Sequence, residues 1–360
     1  MKRCLGVVLL LAFLLGPCFA TYHLFGDALS FDWFAADALY PSSIANPFSS
    51  TSVLNLLYLT DGQPRSIKYT DTDTGSRKYE EVPFLKDSAY IDEHLYLQLK
   101  TGLNIGLFRF SYRDAVEAEM GFQGALNSVF QGFGGADNLG FDGIFFLGMN
   151  VRLFHLVTFR VGLQHYSGHY GDETLENISN QSEGPVEYTR DNNFLFGVSV
   201  QPASFIRLYL DANLPLEKSW MHPAIHIPSW VLKPTTGMSL QEVESSNENI
   251  TGTDFADSYK AWIIDGGVEL HYPLHNLGSL FFAADVTANQ DGQTLHQVGG
   301  YDPDNPWEFE YTLGFGIEFN QSLGLGHARI LCSYHDGRFP LLNFFYQRSK
   351  YFGIGFSLSL

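Results

Sequence analysis

A histidine and a serine two residues apart form the clearest reactive pair in this 360-residue sequence. His165 and Ser167 lie in an alternating segment, and side chains two positions apart on a strand share one face. A base beside a hydroxyl group is the minimum requirement for a serine nucleophile, and Glu173 or Asp172 would orient the imidazole. The pair predicts acyl transfer. The alternative is a polar strand end, with interfacial His and Tyr side chains, that leads into an acidic loop.

The strand predicted around this pair has a strongly apolar face. His165 and Ser167 continue a lane formed by Val157, Phe159, Val161 and Leu163. We therefore expect both side chains to face lipid near the outer interface of a membrane barrel. Outer-membrane phospholipases and lipid A deacylases have a similar His-x-Ser pair on an outward-facing strand, although Gly168 stands here where they usually have Asn.

Alternation with a period of two dominates the rest of the sequence. From Trp307 to Phe319, every odd position is aromatic or aliphatic and every even position is Glu, Thr or Gly. This pattern is typical of strands with one apolar and one polar face. Twelve such segments are predicted, each close to the length of a tilted transmembrane strand: 89–99, 102–112, 116–126, 143–154, 156–168, 192–202, 204–214, 261–272, 278–289, 307–320, 324–336 and 343–360. A change of apolar lane at Leu107–Phe108 predicts a β-bulge.

Loop lengths support a barrel with an even number of strands. After the third strand, long loops (127–142, 169–191, 215–260, 290–306 and 337–342) alternate with short ones. Bacterial outer-membrane barrels have short periplasmic turns and long external loops. The sequence therefore predicts an all-β, antiparallel transmembrane β-barrel in the bacterial outer membrane. Outer-membrane lipids and the barrel-assembly machinery are its expected partners.

Composition agrees with this fold. The chain has 35 Gly, 31 Phe and 19 Tyr, and only 17% of its residues are charged. Such values suit an aromatic outer surface better than they suit the alternative, a soluble sandwich or lipocalin-like barrel. The formal net charge of −18 argues against a nucleic acid as partner.

The N-terminus resembles a signal peptide. Two basic residues precede the apolar run Leu5–Leu15, and cleavage is expected near Ala20. Cys332 is then the one cysteine of the mature chain. Residues 1–20 are predicted to be the signal peptide, 21–88 a periplasmic lead-in or a lumen segment, and 89–360 the barrel. Val53–Leu59 is a candidate additional strand that would upset the even count.

The polar lane of the predicted strands carries charges of both signs. Its members are Arg152, Arg160, Arg207, Asp211, Asp265, Glu269, Asp285, Glu308, Glu310 and Arg329. They are either structural ion pairs that fill a narrow interior or charges that set the ion preference of a pore.

No metal or cofactor site is predicted. Cys332 is isolated, and His222 and His226 lack a third ligand nearby. The acidic segment from Asp172 to Asp191 lacks EF-hand spacing. Calcium is therefore expected only if the protein is a hydrolase.

Two segments resemble a family of bacterial outer-membrane proteins catalogued as domain of unknown function 1207. Leu39–Pro47 is similar to its early proline-bounded segment, with Asn46 where Asp is usual. The segment His165–Glu173 is similar to its His-x-Ser-x-His-x-Gly-Asp-Glu signature, which includes His169, Gly171 and Asp172. The resemblance implies a barrel and no assigned activity.

Three functions are compatible with these features. A narrow channel or transporter is the leading hypothesis. The alternatives are a lipid acyl hydrolase that uses His165, Ser167 and Glu173, and a surface adhesin or structural barrel in which the 215–260 loop binds a partner.

Overall fold

A computed structural model describes most of the chain. The described residues are 21–25, 28–35, 37–62, 65–71, 77–83, 94–113, 115–132, 138–171, 190–215, 262–289, 307–319, 327–344 and 348–359. The predicted signal peptide and nearly all of the 215–260 loop lie outside these residues, so the corresponding hypotheses remain predictions.

Sixteen strands occur in the described residues. They are β1 Thr21–Leu24, β2 Leu29–Ala35, β3 Ser52–Asp61, β4 Arg65–Asp71, β5 Arg77–Pro83, β6 Leu95–Tyr112, β7 Val116–Gln131, β8 Asn138–Leu153, β9 Val157–Tyr170, β10 Arg190–Ala203, β11 Ile206–Pro215, β12 Ile263–Pro273, β13 Gly278–Asn289, β14 Glu308–Phe319, β15 His327–Arg338 and β16 Arg348–Ser359. The part of the chain that the structure describes contains no helix that is both long and apolar enough to cross a membrane.

Twelve of these strands close into one antiparallel barrel. Strands β6 to β16 pair in chain order, and β3 closes the sheet by pairing with β16 on one side and with β6 on the other. Closure satisfies the backbone groups of every strand without leaving a free edge. The predicted fold class, an all-β antiparallel barrel of about twelve strands, is confirmed.

Two strand assignments from the sequence need correction. The predicted strands 89–99 and 102–112 are one long strand, β6, and the candidate strand Val53–Leu59 is the barrel strand β3. The two errors compensate, so the count stays at twelve. The barrel therefore begins at Ser52 rather than at residue 89. Several ends also move, because β7 continues to Gln131 and β16 begins at Arg348.

The β-bulge predicted in the long strand is present. The register of β6 against β7 shifts between Gly106 and Phe108, so Leu107 has no partner in the ladder. One extra residue reverses the faces of all residues that follow it, which explains why the apolar lane changes at this point.

Strong stagger shapes the barrel. Following the registers once around the sheet from Val116 on β7 leads back to β7 at Gly132, sixteen residues farther along the strand. For twelve strands this stagger corresponds to a tilt of the strands of roughly 45° relative to the barrel axis. It also means that β3 reaches only the first part of β6. The hairpin β1–β2 covers much of the remainder, from Leu29 opposite Tyr112 to Ala35 opposite Gly106.

The two faces of the barrel differ in polarity. On β3, Leu54, Leu56 and Tyr58 are exposed on the outer face, while Asn55 and Leu57 are buried inside. Exposed apolar side chains continue around the other strands, and the buried polar residues lie on the inner face. An apolar exterior and a polar interior are typical of transmembrane barrels.

Residues 37–51 cross the lumen. The backbone N–H groups of Leu39 and Ile44 donate to Glu119 Oε1 (3.1 Å) and Glu269 Oε1 (2.8 Å), on opposite parts of the wall. Lys100 Nζ donates to the carbonyl oxygen of Pro47 (2.8 Å). The segment is thus tied to β6, β7 and β12, and this part of residues 21–88 occupies the lumen.

Tyr40 is the centre of this lumen segment. Its side chain is 1% exposed, its hydroxyl donates to Asp211 Oδ1 (2.9 Å), and its ring lies 4.2 Å from the Arg160 guanidinium carbon. Burial raises the pKa of the Tyr40 hydroxyl above its ordinary value, so this group remains a donor. Tyr40 therefore joins the lumen segment to an ion pair of the wall.

A second block of side chains fills the long-loop end of the barrel. After β15 the chain turns inward, and Phe339, Leu341 and Phe344 are each at most 1% exposed. They form one cluster with apolar side chains of the inner wall: Leu57, Leu59, Tyr96, Val129, Leu139, Tyr170 and Tyr351. The predicted loop 337–342 thus packs inside the barrel.

Removing Asp211 tests how firmly the lumen contacts hold the barrel. In Asp211→Ala, the Arg160 guanidinium loses a carboxylate at 2.6 Å and remains buried. We expect a loss of roughly 3–5 kcal/mol in the free energy of unfolding. The measurement is the temperature at which the purified barrel loses its compact migration on gels. Asp61→Ala, at an exposed strand end, is the control, and equal unfolding temperatures for the two variants would contradict the expectation.

Candidate functional site

Three polar side chains lie on the outer face of β9. Exposed Phe159, Val161 and Leu163 define that face, and strand alternation continues it through His165, Ser167 and His169. His165 and Ser167 are partly exposed, and His169 is exposed. Both members of the predicted reactive pair therefore point away from the lumen.

An asparagine of the next strand holds the histidine. Asn192 on β10 is the cross-strand partner of His165, and its Oδ1 atom lies 2.8 Å from His165 Nδ1. With Nδ1 protonated, the imidazole donates this hydrogen bond and Nε2 becomes the acceptor. Ser167 is the next residue on this face, about 7 Å farther along the strand. The structure places the two residues on one face but shows no hydrogen bond between them among the described residues.

Asn192, which contacts His165, is not predicted from the sequence. Glu173 and Asp172 are predicted to orient the imidazole, but both lie outside the described residues. The structure therefore does not test them directly. The described acceptor for Nδ1 is the Asn192 amide oxygen, which is uncharged. An outward-facing Asn at the start of the strand that follows the His-x-Ser strand was the available signal.

Aromatic rings of β8 stack on both imidazoles. Phe145 is opposite His165 with a centroid separation of 6.3 Å and an interplanar angle of 23°. Phe141 is opposite His169, at 4.7 Å and 17°. Stacking restricts both imidazoles while leaving their edges, which carry the nitrogens, accessible. Ser167 thus lies between two fixed aromatic–histidine pairs.

Gly143 lets Ser167 and the ring of Phe145 lie close to the backbone of β8. It is the cross-strand partner of Ser167 on β8, between Phe141 and Phe145. A β-carbon added at Gly143 would lie 2.8 Å from Ser167 Oγ and 2.9 Å from Phe145 Cε2. The absence of a side chain at Gly143 therefore lets the Ser167 hydroxyl and the Phe145 ring pack over the glycine on the outer face.

The inner side of the same strands is firmly packed. Asp142 is fully buried and accepts hydrogen bonds from the Leu342 N–H (3.1 Å), and Asn127 donates to the Pro340 carbonyl (2.6 Å). Tyr170 packs edge-on against Phe344 with 5.8 Å between ring centroids. These contacts support β8 and β9 from behind, so the outer residues are carried on a rigid wall.

Gly171 ends this strand and is the last described residue of the family-like signature. Its N–H donates to the Leu139 carbonyl (3.1 Å), and a β-carbon there would collide with the carbonyl oxygen of Asn138. The glycine is thus explained by the close approach of β8.

The predicted lumen charges lie on the inner face. Arg160 pairs with Asp211 (2.6 Å), and Arg207 with Glu269 (3.1 Å). Asp265 accepts from Asn46 (3.2 Å). Lumen-segment residues therefore neighbour both ion pairs.

The other predicted lumen charges are also engaged. Their contacts are Asp285 with the Tyr209 hydroxyl (2.6 Å), Arg152 with Glu117 (2.5 Å), Arg329 with Glu318 (2.7 Å), Glu310 with Arg338 (2.9 Å) and Glu308 with Arg348 (3.3 Å). Three of these contacts join neighbouring strands, while Tyr209–Asp285 and Glu308–Arg348 each bridge across one intervening strand. Such pairing is expected for structural charges in a low-dielectric interior. Among the described residues, no group of three or more His, Cys, Asp or Glu side chains is arranged to hold a metal ion.

Cysteine labelling tests which face carries the site. In a Cys332→Ser background, Ser167→Cys should react readily with a lipid-soluble maleimide in liposomes, because residue 167 faces outward. Gln164→Cys, at a buried inward position, is the control and should remain unlabelled. Labelling at position 164 but not at 167, in folded protein, would contradict the assignment.

Comparisons with known proteins identified structural neighbours. No family model and no curated protein sequence matches this chain, so the resemblance to domain of unknown function 1207 stays a prediction. One similar solved structure is the outer membrane phospholipase of Salmonella typhi, a dimer with bound calcium. The two sequences are 9% identical, the match covers 89% of this chain and 91% of that chain, and the TM-score is 0.45. Outer membrane phospholipase A from Escherichia coli has 11% identity, coverages of 89% and 93% and a TM-score of 0.43. The toluene transporter TodX of Pseudomonas putida has 11% identity, coverages of 86% and 88% and a TM-score of 0.32.

Proposed function

We propose that this protein is an outer-membrane enzyme that hydrolyses acyl esters of membrane lipids. Ser167 is the nucleophile, His165 the general base and Asn192 the residue that orients His165. The observation that carries the proposal is the 2.8 Å contact between His165 Nδ1 and Asn192 Oδ1, on the face where Ser167 lies two residues farther along β9. Nucleophile, base and orienting group in this order are the elements of a serine hydrolase.

The chemistry follows from these positions. His165 Nε2 accepts the proton of the Ser167 hydroxyl as Oγ attacks the ester carbonyl carbon. The alcohol leaves with the proton returned by His165, and an acyl ester remains on Ser167. Water, deprotonated by the same nitrogen, then attacks the acyl carbon. The bond from that carbon to Ser167 Oγ breaks, Oγ takes the proton from His165, and the fatty acid is released. Asn192 Oδ1 keeps Nδ1–H directed away from the serine throughout, so that Nε2 remains the acceptor.

The location of the site fits a lipid substrate. Ser167 faces away from the lumen and is flanked by Phe141 and Phe145, which are both exposed. An acyl chain lying along the apolar outer face would reach the Ser167 hydroxyl without entering the barrel. A water-soluble ester would lack this apolar contact.

The proposal predicts a graded loss of activity in three variants. Ser167→Ala and His165→Ala should each reduce kcat for fatty-acid release by roughly 10³-fold or more, since both groups take part in bond making. Asn192→Ala should reduce it by roughly 10- to 100-fold, the equivalent of one strong hydrogen bond. The measurement is fatty-acid release from phospholipid micelles. It is made with and without Ca²⁺, because the carboxylates of segment 172–189 are candidate calcium ligands and lie outside the described part of the chain.

Asn193→Ala is the matched control for the orienting residue. Asn193 is the neighbouring amide on β10, but it is fully buried toward the lumen, so hydrolysis should persist in this variant. No fatty-acid release by the folded wild type under either condition would refute the proposal. So would wild-type rates in Ser167→Ala.

A narrow channel, the leading hypothesis from the sequence, is the second candidate. A cavity of about 50 Å³ between the lumen segment and the wall is lined by polar residues that include Arg160, Arg207, Asp211 and Asp265. However, residues 37–51 and the Phe339–Phe344 cluster occupy the lumen at two levels. A solute path along the axis would require both to move.

Planar-bilayer recording separates the two candidates. Wild-type protein should give no steady conductance, because the lumen segment is tied to the wall by at least four hydrogen bonds. Compact gel migration of the same preparation would verify that the barrel is folded. A steady, ion-selective conductance of the wild type would favour the channel.

A further inference from the structure

We propose that His169 binds the phosphate group of the lipid substrate and makes the enzyme selective for phosphate-bearing acyl lipids. This inference rests on the proposed hydrolase function. It concerns a residue to which the hydrolytic mechanism assigns no role.

His169 shares the outer face with the proposed catalytic residues. It follows Ser167 by two positions on β9, as Ser167 follows His165, and its side chain is exposed. A histidine therefore stands on each side of the serine. The first has a hydrogen-bond partner in Asn192, whereas no hydrogen bond to the His169 ring nitrogens is present among the described residues.

Stacking fixes the ring of His169 and leaves its polar atoms available. The imidazole lies nearly parallel to Phe141, with 4.7 Å between centroids and 17° between planes. This contact uses one face of the ring, and the N–H group projects from the edge. A preoriented imidazole N–H is a good donor to a phosphate oxygen, and hydrogen bonds to ionised groups are stronger than neutral ones.

Strand direction places His169 where a headgroup would lie. The short turn 154–156 precedes β9. The opposite end of β9, at Tyr170, therefore lies at the end of the barrel that carries the long loops. His169 is therefore about 7 Å farther along the strand toward that end than Ser167, and His165 is about 7 Å behind Ser167. At a strand tilt of roughly 45°, each step changes the depth in the membrane by about 5 Å. A glycerolipid bound with its ester at Ser167 and its chain on the apolar face has its phosphate, one glycerol backbone away, on the His169 side.

Two substrates that differ only in the phosphate-bearing headgroup test this inference. The probes are dioleoylphosphatidylglycerol and dioleoylglycerol, presented to full-length protein in mixed micelles. Wild type should have the higher kcat/KM for the phospholipid. His169→Phe keeps an aromatic ring beside Phe141 and removes the donor, so the ratio of the two kcat/KM values should fall by roughly tenfold, mainly through KM. His169→Gln restores a donor and should recover part of the ratio.

The outcomes separate the inference from the function on which it rests. An unchanged ratio in His169→Phe, with hydrolysis still measurable, would overturn the role of His169 and leave the hydrolase intact. Equal losses on both lipids would also overturn it, because they would indicate a structural role for the ring. Failure of the wild type to hydrolyse either lipid would instead refute the hydrolase. Asn193→Ala should leave the ratio at its wild-type value.

Discussion

Closure of the sheet is the constraint on which the whole molecule depends. Each of the twelve strands satisfies its backbone groups through two neighbours, and strand geometry then assigns successive side chains to opposite faces. The same rule sends Leu163, His165, Ser167 and His169 outward and Gln164 inward. The face of each residue is set by whether its position along the strand is odd or even. A reactive group can therefore be presented to lipid only where it replaces an apolar residue of the outer lane, as at the end of β9.

The filled lumen is a consequence of the same alternation. Polar side chains forced inward in a barrel of this size would lose water without gaining partners. Here the lumen segment 37–51 supplies N–H, carbonyl and hydroxyl groups to them, and the remaining charges pair across strands. Tyr40, which meets both Arg160 and Asp211, shows how one residue of an irregular segment satisfies two charges of the wall. A rigid, filled barrel gives the outer site a fixed support.

The sequence predicted the features that depend on local alternation. The fold class and the bulge at Leu107 follow from the period of two and its interruption, whereas the predicted count of twelve strands is right because two errors compensate. The sequence did not show that residues 95–112 form one strand, because Thr101 interrupts the apolar lane of Leu97, Leu99 and Leu103. It also did not reveal Asn192, since the pairing of β9 with β10 spans a long loop and register is set by tertiary packing. Glu173 was chosen for its nearness along the chain, whereas the observed contact crosses between strands.

The central claim is that Ser167 is an activated nucleophile on the outer face of the barrel. The most direct measurement is mass spectrometry of the folded protein after reaction with a long-chain alkyl fluorophosphonate, which labels serines made nucleophilic by a neighbouring base. The account predicts one covalent adduct, on the peptide that contains Ser167, and none after His165→Ala. An adduct on another serine, or no adduct on folded wild-type protein, would contradict it.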